Sequence, residues 1–330
     1  MRKPRFLVAV TLCLCLSGFT ASAATYIDAL GRAVDIPPSP QRIVSLAPNI
    51  TETLFALGLD SEVVGVTMDS TLPQAVKDLP RVGGLASLSL ERIIALEPDC
   101  IIATADGNPK ETVLQLARAG FPVYVIHPGD LDGMLQMILD LGEITGRRER
   151  AEQLVSSLRR RIDAVVAGTA GREKPRVFFQ ISYDPLITVG RGTFHDRLIE
   201  MAGGINIFGD SPVRYPRVSL EMVIFGEPDV IIYASMAPEE KHESAVLKRW
   251  KKWSSVPAVA SGRIYCIDAD IIHQPAPSVV MGLEILADLL HRGRRGEDGD
   301  HVVPHGQVGE ARETPDESPY VQKGEPKFHD

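Results

Sequence analysis

Of the 330 residues only four are cysteine. Cys13 and Cys15 fall in the leading apolar segment, and Cys100 and Cys266 sit in apolar, strand-like runs far apart in the chain. A disulfide scaffold is thereby excluded, and two free buried thiols are expected. Positive charge is also in short supply. Lys and Arg together number 35 against 43 Asp and Glu, a formal net charge of −8, and no basic stripe with interleaved aromatics occurs, so a nucleic-acid partner is not expected. No G-x-x-x-x-G-K-[ST], H-E-x-x-H, G-x-S-x-G or C-x-x-C motif is present. Gly190-Arg191-Gly192 lacks the third glycine and the following acidic residue of a dinucleotide fingerprint, and reads as a tight strand-to-helix turn. Among the histidines, His127, His195, His242 and His273 lie in the part expected to fold, with no pair at local ligand spacing. A three-histidine metal site would have to be assembled across distant segments.

The one extended apolar run without charge near the start is a targeting signal. Arg2, Lys3 and Arg5 precede Phe6 to about Phe19, which ends in Ala21-Ser22-Ala23. The run is too short for a membrane span, and no small residue stands before Cys13 or Cys15 as lipidation would need. Residues 1–23 are expected to be a cleaved signal peptide, and the mature protein to be exported and soluble, starting near Ala24.

What the chain does contain is a long internal repeat. Ser89 to Thr104, SLERIIALEPDCIIAT, returns as Ser219 to Ala234, SLEMVIFGEPDVIIYA. The offset, 219 against 89, far exceeds the roughly 20–50 residues of solenoid repeats and is the size of a lobe. In each copy a serine (Ser89, Ser219) is placed to cap a helix, and a glutamate (Glu91, Glu221) falls in the first turn, where the macrodipole favours it. Pro98 and Pro228 stop the helices, and an apolar run follows that suits a strand buried on both faces.

Around the repeats, strands and helices alternate, which predicts α/β lobes with largely parallel sheets. In the first lobe a strand, Arg42 to Ala47, runs into a helix, with Asn49 and Glu52 spaced like a capping box. Between the lobes the apolar period lengthens to 3.6: Leu131, Met134, Leu135, Ile138 and Leu141, then Ala151, Leu154, Val155, Leu158 and Ile162. The second of these helices, from Arg147 to about Ala167, is long enough to act as a strut between lobes. The expected organisation is therefore an N-terminal α/β lobe over 24–128, a helical linker over 129–170 and a C-terminal α/β lobe over 171–292, with the ligand cleft between lobes. Residues 293–330, rich in Gly, Pro and charge, cannot bury enough to order and read as a disordered tail. Asp69, Asp106, Asp268 and Asp270 follow strand ends, where cleft residues of such lobes lie, although capping or turn formation explains each about as well.

RIVSLAPNITETLFALG (Arg42 to Gly58), LPRVGG (Leu79 to Gly84) and the doubled SLE…EPD…II units resemble the class III, helical-backbone periplasmic binding proteins of ABC importers. That family includes the vitamin B12, iron-siderophore and heme binders. The resemblance implies two Rossmann-like lobes joined by a rigid helix, a metal chelate held in the cleft as cargo, no cofactor of the protein's own, no catalysis, and a monomer in the periplasm. It also implies an inner-membrane permease dimer as partner, met by Glu91 and Glu221. The turn Asp106-Gly107-Asn108-Pro109 and the pair Tyr215-Pro216 look most like the cobalamin binders, which makes a corrinoid the expected ligand. Asp69, Asp106, Asn108, Tyr183, Tyr215 and His273 form the candidate ligand-contacting set. Asp69, Leu72 and Thr104 stand where first-lobe aromatics are common, and His273-Gln274 replaces a Glu-Arg type pair, so a ferric siderophore or heme stays open. The alternative from another class is an exported two-domain enzyme with its active site in the cleft.

Overall fold

A computed structural model describes the backbone of residues 23–235 and 240–291 and the side chains of 23–235 and 245–291. The targeting segment, apart from Ala23, and the expected tail 293–330 lie outside the described residues.

The chain opens with a hairpin that sequence reading did not anticipate, β1 (Ala24–Ile27) antiparallel to β2 (Ala33–Ile36). Buried Asp28 closes its turn by accepting from the backbone N–H of Leu30 and Arg32, both at 2.9 Å. Ala29 N–H then donates to Val125 O at 2.9 Å, which ties the hairpin to the first lobe.

That lobe runs β3 (Ile43–Ser45), α1 (Pro48–Ala56), β4 (Val63–Val66), β5 (Gly83–Gly84), β6 (Ser87–Leu88), α2 (Leu90–Ala95), β7 (Cys100–Thr104), α3 (Lys110–Arg118) and β8 (Val123–Ile126). Its sheet has the order β4-β3-β7-β8 with every pairing parallel. All of β7 is buried, which is why it reads as an unbroken apolar run. Alternate residues serve opposite layers: Val44, Ile101, Ala103, Val123 and Val125 pack with Ile93, Val113 and Leu116 of α2 and α3. Ile43, Cys100, Ile102, Tyr124 and Ile126 face the other side, toward α1 and the linker helices. Cys100 and Cys266 are both free, the first buried and the second half-buried.

The linker is α4 (Leu131–Ile144) and α5 (Arg148–Thr169), the latter 22 residues and so about 33 Å at ~1.5 Å per residue. Near its start, Arg147 pairs with Glu62 (2.7 Å) and Arg150 Nε donates to Ala56 O (3.2 Å), both in the first lobe. Further along, Arg161 grips Glu284 of the second lobe through Nε and Nη2 at 2.8 and 2.7 Å. The strut expected from periodicity is thus anchored at both ends.

The second lobe comprises β9 (Arg176–Tyr183), β10 (Leu186–Thr188), α6 (Phe194–Met201), β11 (Ile205–Asn206), α7 (Leu220–Phe225), β12 (Val230–Ser235), α8 (Glu240–Trp250), α9 (Pro257–Ala260), β13 (Ile264–Asp268) and α10 (Val279–His291). Its sheet has the order β10-β9-β12-β13, with only β10 antiparallel to its neighbour and β11 joining the start of β9. Phe178, Ile231 and Tyr233 pack outward beside Val223 and Trp250. Val177, Phe179, Val230, Ile232 and Ile267 pack inward, in one continuous cluster with α4, α5, α10 and the inner face of the first sheet. Each such fully buried aliphatic contributes about 1.5–3 kcal/mol. A core continuous through the strut resists rotation of the lobes.

The two repeats share a lock that the repeat's own letters hide. Ser89 and Ser219 cap their helices as expected, accepting from Arg92 N (3.4 Å) and Met222 N (3.3 Å). At the other end Glu97 and Glu227 sit in the left-handed region, with φ of 45° and 42°. An arginine that opens the first strand of each lobe secures this turn: Arg42 donates to Leu96 O and Glu97 O, and Arg176 to Gly226 O. The repeated aspartate closes the circuit, Asp99 accepting from Gln41 and Arg42 N–H and Asp229 from Arg176 N–H.

One local expectation is corrected. Asn49 and Glu52 do not form a capping box, because α1 starts at Pro48 after Ala47, which makes no side-chain cap. Glu52 is buried instead, and its carboxylate accepts from Ser278 N at 2.6 Å and Ser278 Oγ at 2.8 Å, just ahead of α10.

Candidate functional site

Parallel sheets deliver their loops at the carboxyl ends of their strands, and ligands of such lobes bind there. In the first lobe these are the loops after β4 and β7; in the second they are the turn after β9 and the loop after β13. The two sets meet: Thr71 Oγ1, beyond β4, donates to Asp270 Oδ2, beyond β13, at 2.7 Å. The Glu52–Ser278 contact fastens the same interlobe region from behind. Asp69 and Asp106 follow β4 and β7 of one lobe, and in the other Tyr183 is the last residue of β9 while His273 follows β13.

First-lobe candidates are held by backbone-directed bonds. Exposed Asp69 accepts from Leu85 N–H at 2.5 Å, which links its loop to the one containing the β5–β6 turn. Arg81, which sequence reading passed over, donates to Thr67 O and Ser70 O at 2.9 Å each and to Val76 O at 3.0 Å. Beneath, the buried hydroxyls of Ser45, Thr51, Ser70 and Thr67 form a chain with spacings of 2.7, 3.0 and 3.0 Å. Asp106 pairs with His127 Nδ1 at 2.8 Å, both side chains more than half exposed. Asn108 is different. Its Oδ1 accepts from Thr104 N–H (2.8 Å) and its Nδ2 donates to Leu46 O (2.8 Å) and Leu85 O (3.0 Å), so the amide is spent on bracing the turn.

Second-lobe candidates carry the aromatic surface. Tyr183 stacks under the Arg249 guanidinium, 3.5 Å from its ring centroid, and its buried hydroxyl has no partner among the described residues. Tyr215, 48% exposed, rides a loop pinned to β10 by Thr188 N→Pro216 O (3.1 Å) and Val218 N→Leu186 O (3.0 Å). Gly190 N–H adds a bond to Arg214 O at 2.8 Å, and a Cβ on Gly190 would lie 2.0 Å from Val213 O. That close backbone crossing is what the Gly190-Arg191-Gly192 turn serves. His273 Nδ1 lies 2.8 Å from His195 Nε2, a pair invisible in sequence because 78 residues separate them. Burial pushes His273 down to about 4, against a smaller opposing pull from Asp270; burial, then the neighbouring His273, pushes His195 down to about 3. Both rings are therefore neutral at ordinary pH.

The family model described as Periplasmic binding protein matches residues 43–271. The chain belongs to the periplasmic binding proteins. It is 30% identical over 269 residues to the vitamin B12-binding protein of Vibrio cholerae serotype O1, covering 81% of this chain and 95% of the relative. The crystal structure of the periplasmic vitamin B12 binding protein BtuF of Vibrio cholerae superposes with a TM-score of 0.68 at 32% identity, covering 77% of this chain and 98% of that one. The periplasmic heme-binding protein RhuT from Roseiflexus sp. RS-1, in apo form, gives a TM-score of 0.69 at 30% identity, covering 76% and 98%. The architecture is that of the two-lobed class III members, and the role is substrate binding for an importer, with no chemical conversion.

In this binding protein Glu91 and Glu221 are both exposed, one on the first turn of α2 and one on the first turn of α7. The Glu221 carboxyl is held below its usual range by its own backbone N–H and the Ser219 hydroxyl. Beside it Phe225 is 91% exposed, whereas the matching position of the first repeat is Ala95. Among the described residues no group of three or more His, Cys, Asp or Glu could hold a metal ion. A separate hollow of 540 Å³ lies between α4, α5 and α6, lined in part by Asp132, Arg159, Arg191 and Arg197, and includes none of the candidate ligand residues.

Proposed function

We propose that this binding protein captures a corrinoid of the vitamin B12 type in the periplasm and delivers it to the permease dimer of an ABC importer in the inner membrane. The observation that carries the reading is the interlobe front, where the strand-end loops of the two lobes meet through Thr71 and Asp270; half-exposed Tyr215 on a pinned loop is the aromatic face that the second lobe would bring to it. Asp69 and the Asp106–His127 pair offer hydrogen-bonding groups from the other. A corrin has that profile, a flat ring edged with amides. The B12-binding relative spans nearly its whole length against this chain, which supports the same ligand class. In this reading the mature protein starts near Ala24, after loss of a signal peptide ending at Ala23, and works in that compartment as a monomer. The cargo's metal travels with it, and the protein needs no cofactor. An iron-siderophore or heme ligand is the second reading, favoured by His273 at the front and by the heme-binding structural relative. Calorimetric titration of the mature protein with cyanocobalamin, cobinamide, heme and several ferric siderophores separates the two.

Glu91 and Glu221 are the docking pair, each available for bidentate pairing with a permease arginine. Their other explanation, helix-dipole stabilisation worth roughly 0.3–1 kcal/mol, needs no partner. Reversing both, Glu91→Arg with Glu221→Arg, leaves ligand affinity intact and abolishes binding to the cognate transporter. Normal uptake by the double variant would reduce the two glutamates to helix starts.

A further inference from the structure

We propose that the end of α8, from Lys248 to Trp253, is a contact patch for an anionic phospholipid surface, on which the protein rests with the carboxyl ends of its strands toward the bilayer. This goes beyond the receptor reading above and rests on it only for the compartment; neither the chelate nor the permease enters the contact.

The expectation that no basic stripe with interleaved aromatics occurs is corrected at this one short run. Lys248, Arg249, Lys251 and Lys252 put four cations into five residues, and no Asp or Glu stands anywhere from 244 to 267. The patch thus opposes the sign of the whole chain, whose formal net charge is −8. All four cations and Trp253 are exposed. Lys251 N–H closes on Leu247 O at 2.9 Å, so helical spacing continues past Trp250 and sets Lys248 beside Lys251 and Lys252. Like charges at that spacing repel, and none of the three lysine side chains has a partner among the described residues. Arg249 is engaged separately, its guanidinium 3.5 Å from the Tyr183 ring centroid. Trp250 is the fixed post beneath them, 2% exposed, edge-on to Phe178 at 5.7 Å and donating its indole N–H to Gln180 Oε1 at 3.0 Å.

The chemistry of the patch identifies its partner. Lysine presents a hydrated point charge, which suits a diffuse anionic surface, whereas a particular carboxylate is better met by an arginine fork, and the one arginine here is stacked. Trp253, 37% exposed, is the residue type that settles at the headgroup level of a bilayer. Nucleic acid would call for a ladder of stacking rings, but burial of Trp250 leaves Trp253 alone. Position agrees with chemistry. Arg249 reaches Tyr183, the last residue of β9, so the patch lies at the carboxyl end of the second sheet. Glu221 is at that end too, because α7 runs back against the parallel strand β12 that it precedes. A receptor held by its lysines diffuses in two dimensions with Glu221 turned toward the bilayer.

Flotation with vesicles is the test, using the mature chain without chelate and vesicles of phosphatidylcholine alone or mixed with phosphatidylglycerol. Expected is partition onto the anionic vesicles only, lost as salt rises from about 0.05 M to about 0.5 M. Each neutralised lysine weakens partition by about fivefold, so Lys248→Gln, Lys251→Gln and Lys252→Gln together weaken it by about a hundredfold. The same charge change elsewhere, Lys77→Gln with Lys110→Gln and Lys174→Gln, alters it by less than about threefold, because charges beyond a Debye length are screened. The chain has two tryptophans, so a brominated lipid that quenches exposed Trp253 in the wild type leaves Trp253→Phe, with only buried Trp250, unquenched. Circular dichroism and chelate titration match the wild type in the patch variant, which separates lost partition from lost fold. Partition that is absent, equal on neutral vesicles, or weakened as much by the control triple overturns the proposal. So does a patch variant that floats normally yet no longer binds the detergent-solubilised transporter, which would make the partner a protein. Any of these results leaves the receptor reading standing, since chelate binding alone decides that.

Discussion

Replacing Glu52 with alanine removes the acceptor for two donors that water cannot reach. Ser278 N–H, at 2.6 Å, is backbone and cannot turn elsewhere, and Ser278 Oγ, at 2.8 Å, is in a residue only 7% exposed. Each orphaned donor costs about 1–3 kcal/mol, and the bonds lost are charge-assisted, so the sum is about 3–5 kcal/mol. Against a usual total of ~5–15 kcal/mol that is a large fraction. At about 2–4 °C per kcal/mol for a chain of this order, Tm falls by about 6–20 °C. Ser278→Ala keeps the backbone donor and loses only the hydroxyl bond, so it costs about 1 kcal/mol. Urea unfolding followed by tryptophan fluorescence reads the second lobe through Trp250, which is buried and bonded to Gln180 at 3.0 Å. Circular dichroism reads both lobes. In Glu52→Ala the two signals part, because the contact that joins α1 to the entry of α10 is gone. A Glu52→Ala protein within about 0.5 kcal/mol of wild type, with coincident transitions, refutes the interlobe role.

Three further outcomes follow from the site. Tyr215→Ala weakens corrinoid binding by about 1–3 kcal/mol, the usual loss for a stacked aromatic, with unchanged Tm; unchanged affinity in calorimetry removes Tyr215 from the contact surface. Gly190→Ala forces a Cβ to within 2.0 Å of Val213 O, so the Tyr215 loop shifts, stability drops by about 1–3 kcal/mol and ligand affinity falls with it. A variant matching wild type in both would mean that the crossing is looser than the geometry requires. The His195–His273 pair makes stability pH-dependent. Folded values of about 3 and about 4 lie below the unfolded value of ~6.5, so the unfolded chain takes up more protons between them. The contribution is complete above about pH 6.5 and is lost as pH falls toward 4. A stability–pH profile between pH 7 and 4.5 that is as steep in His273→Gln as in wild type excludes the pair as its source.

What depends on near neighbours in the chain was legible before any coordinates. The 3.6 period of α4 and α5, the buried-strand runs at β7 and β12, and the serine caps at 89 and 219 are all set within a few residues. The doubled unit therefore announced two lobes, although its Arg42 and Arg176 partners went unread because they stand on another strand. What depends on distant partners was decided by the tertiary structure alone. Asn49 and Glu52 carry the spacing of a capping box, yet a carboxylate that can reach buried donors on a remote segment gains more there than at a helix end open to water, and 226 residues separate Glu52 from Ser278. Asn108 became a candidate through the likeness of its turn to that of the cobalamin binders, and only the structure shows three backbone groups absorbing its amide. His195 and His273 looked like unrelated singles until β9, α6 and the loop after β13 brought them to 2.8 Å. Sequence patterns report the faces of elements; which polar groups meet across those faces is settled only when packing excludes the water that would otherwise satisfy them.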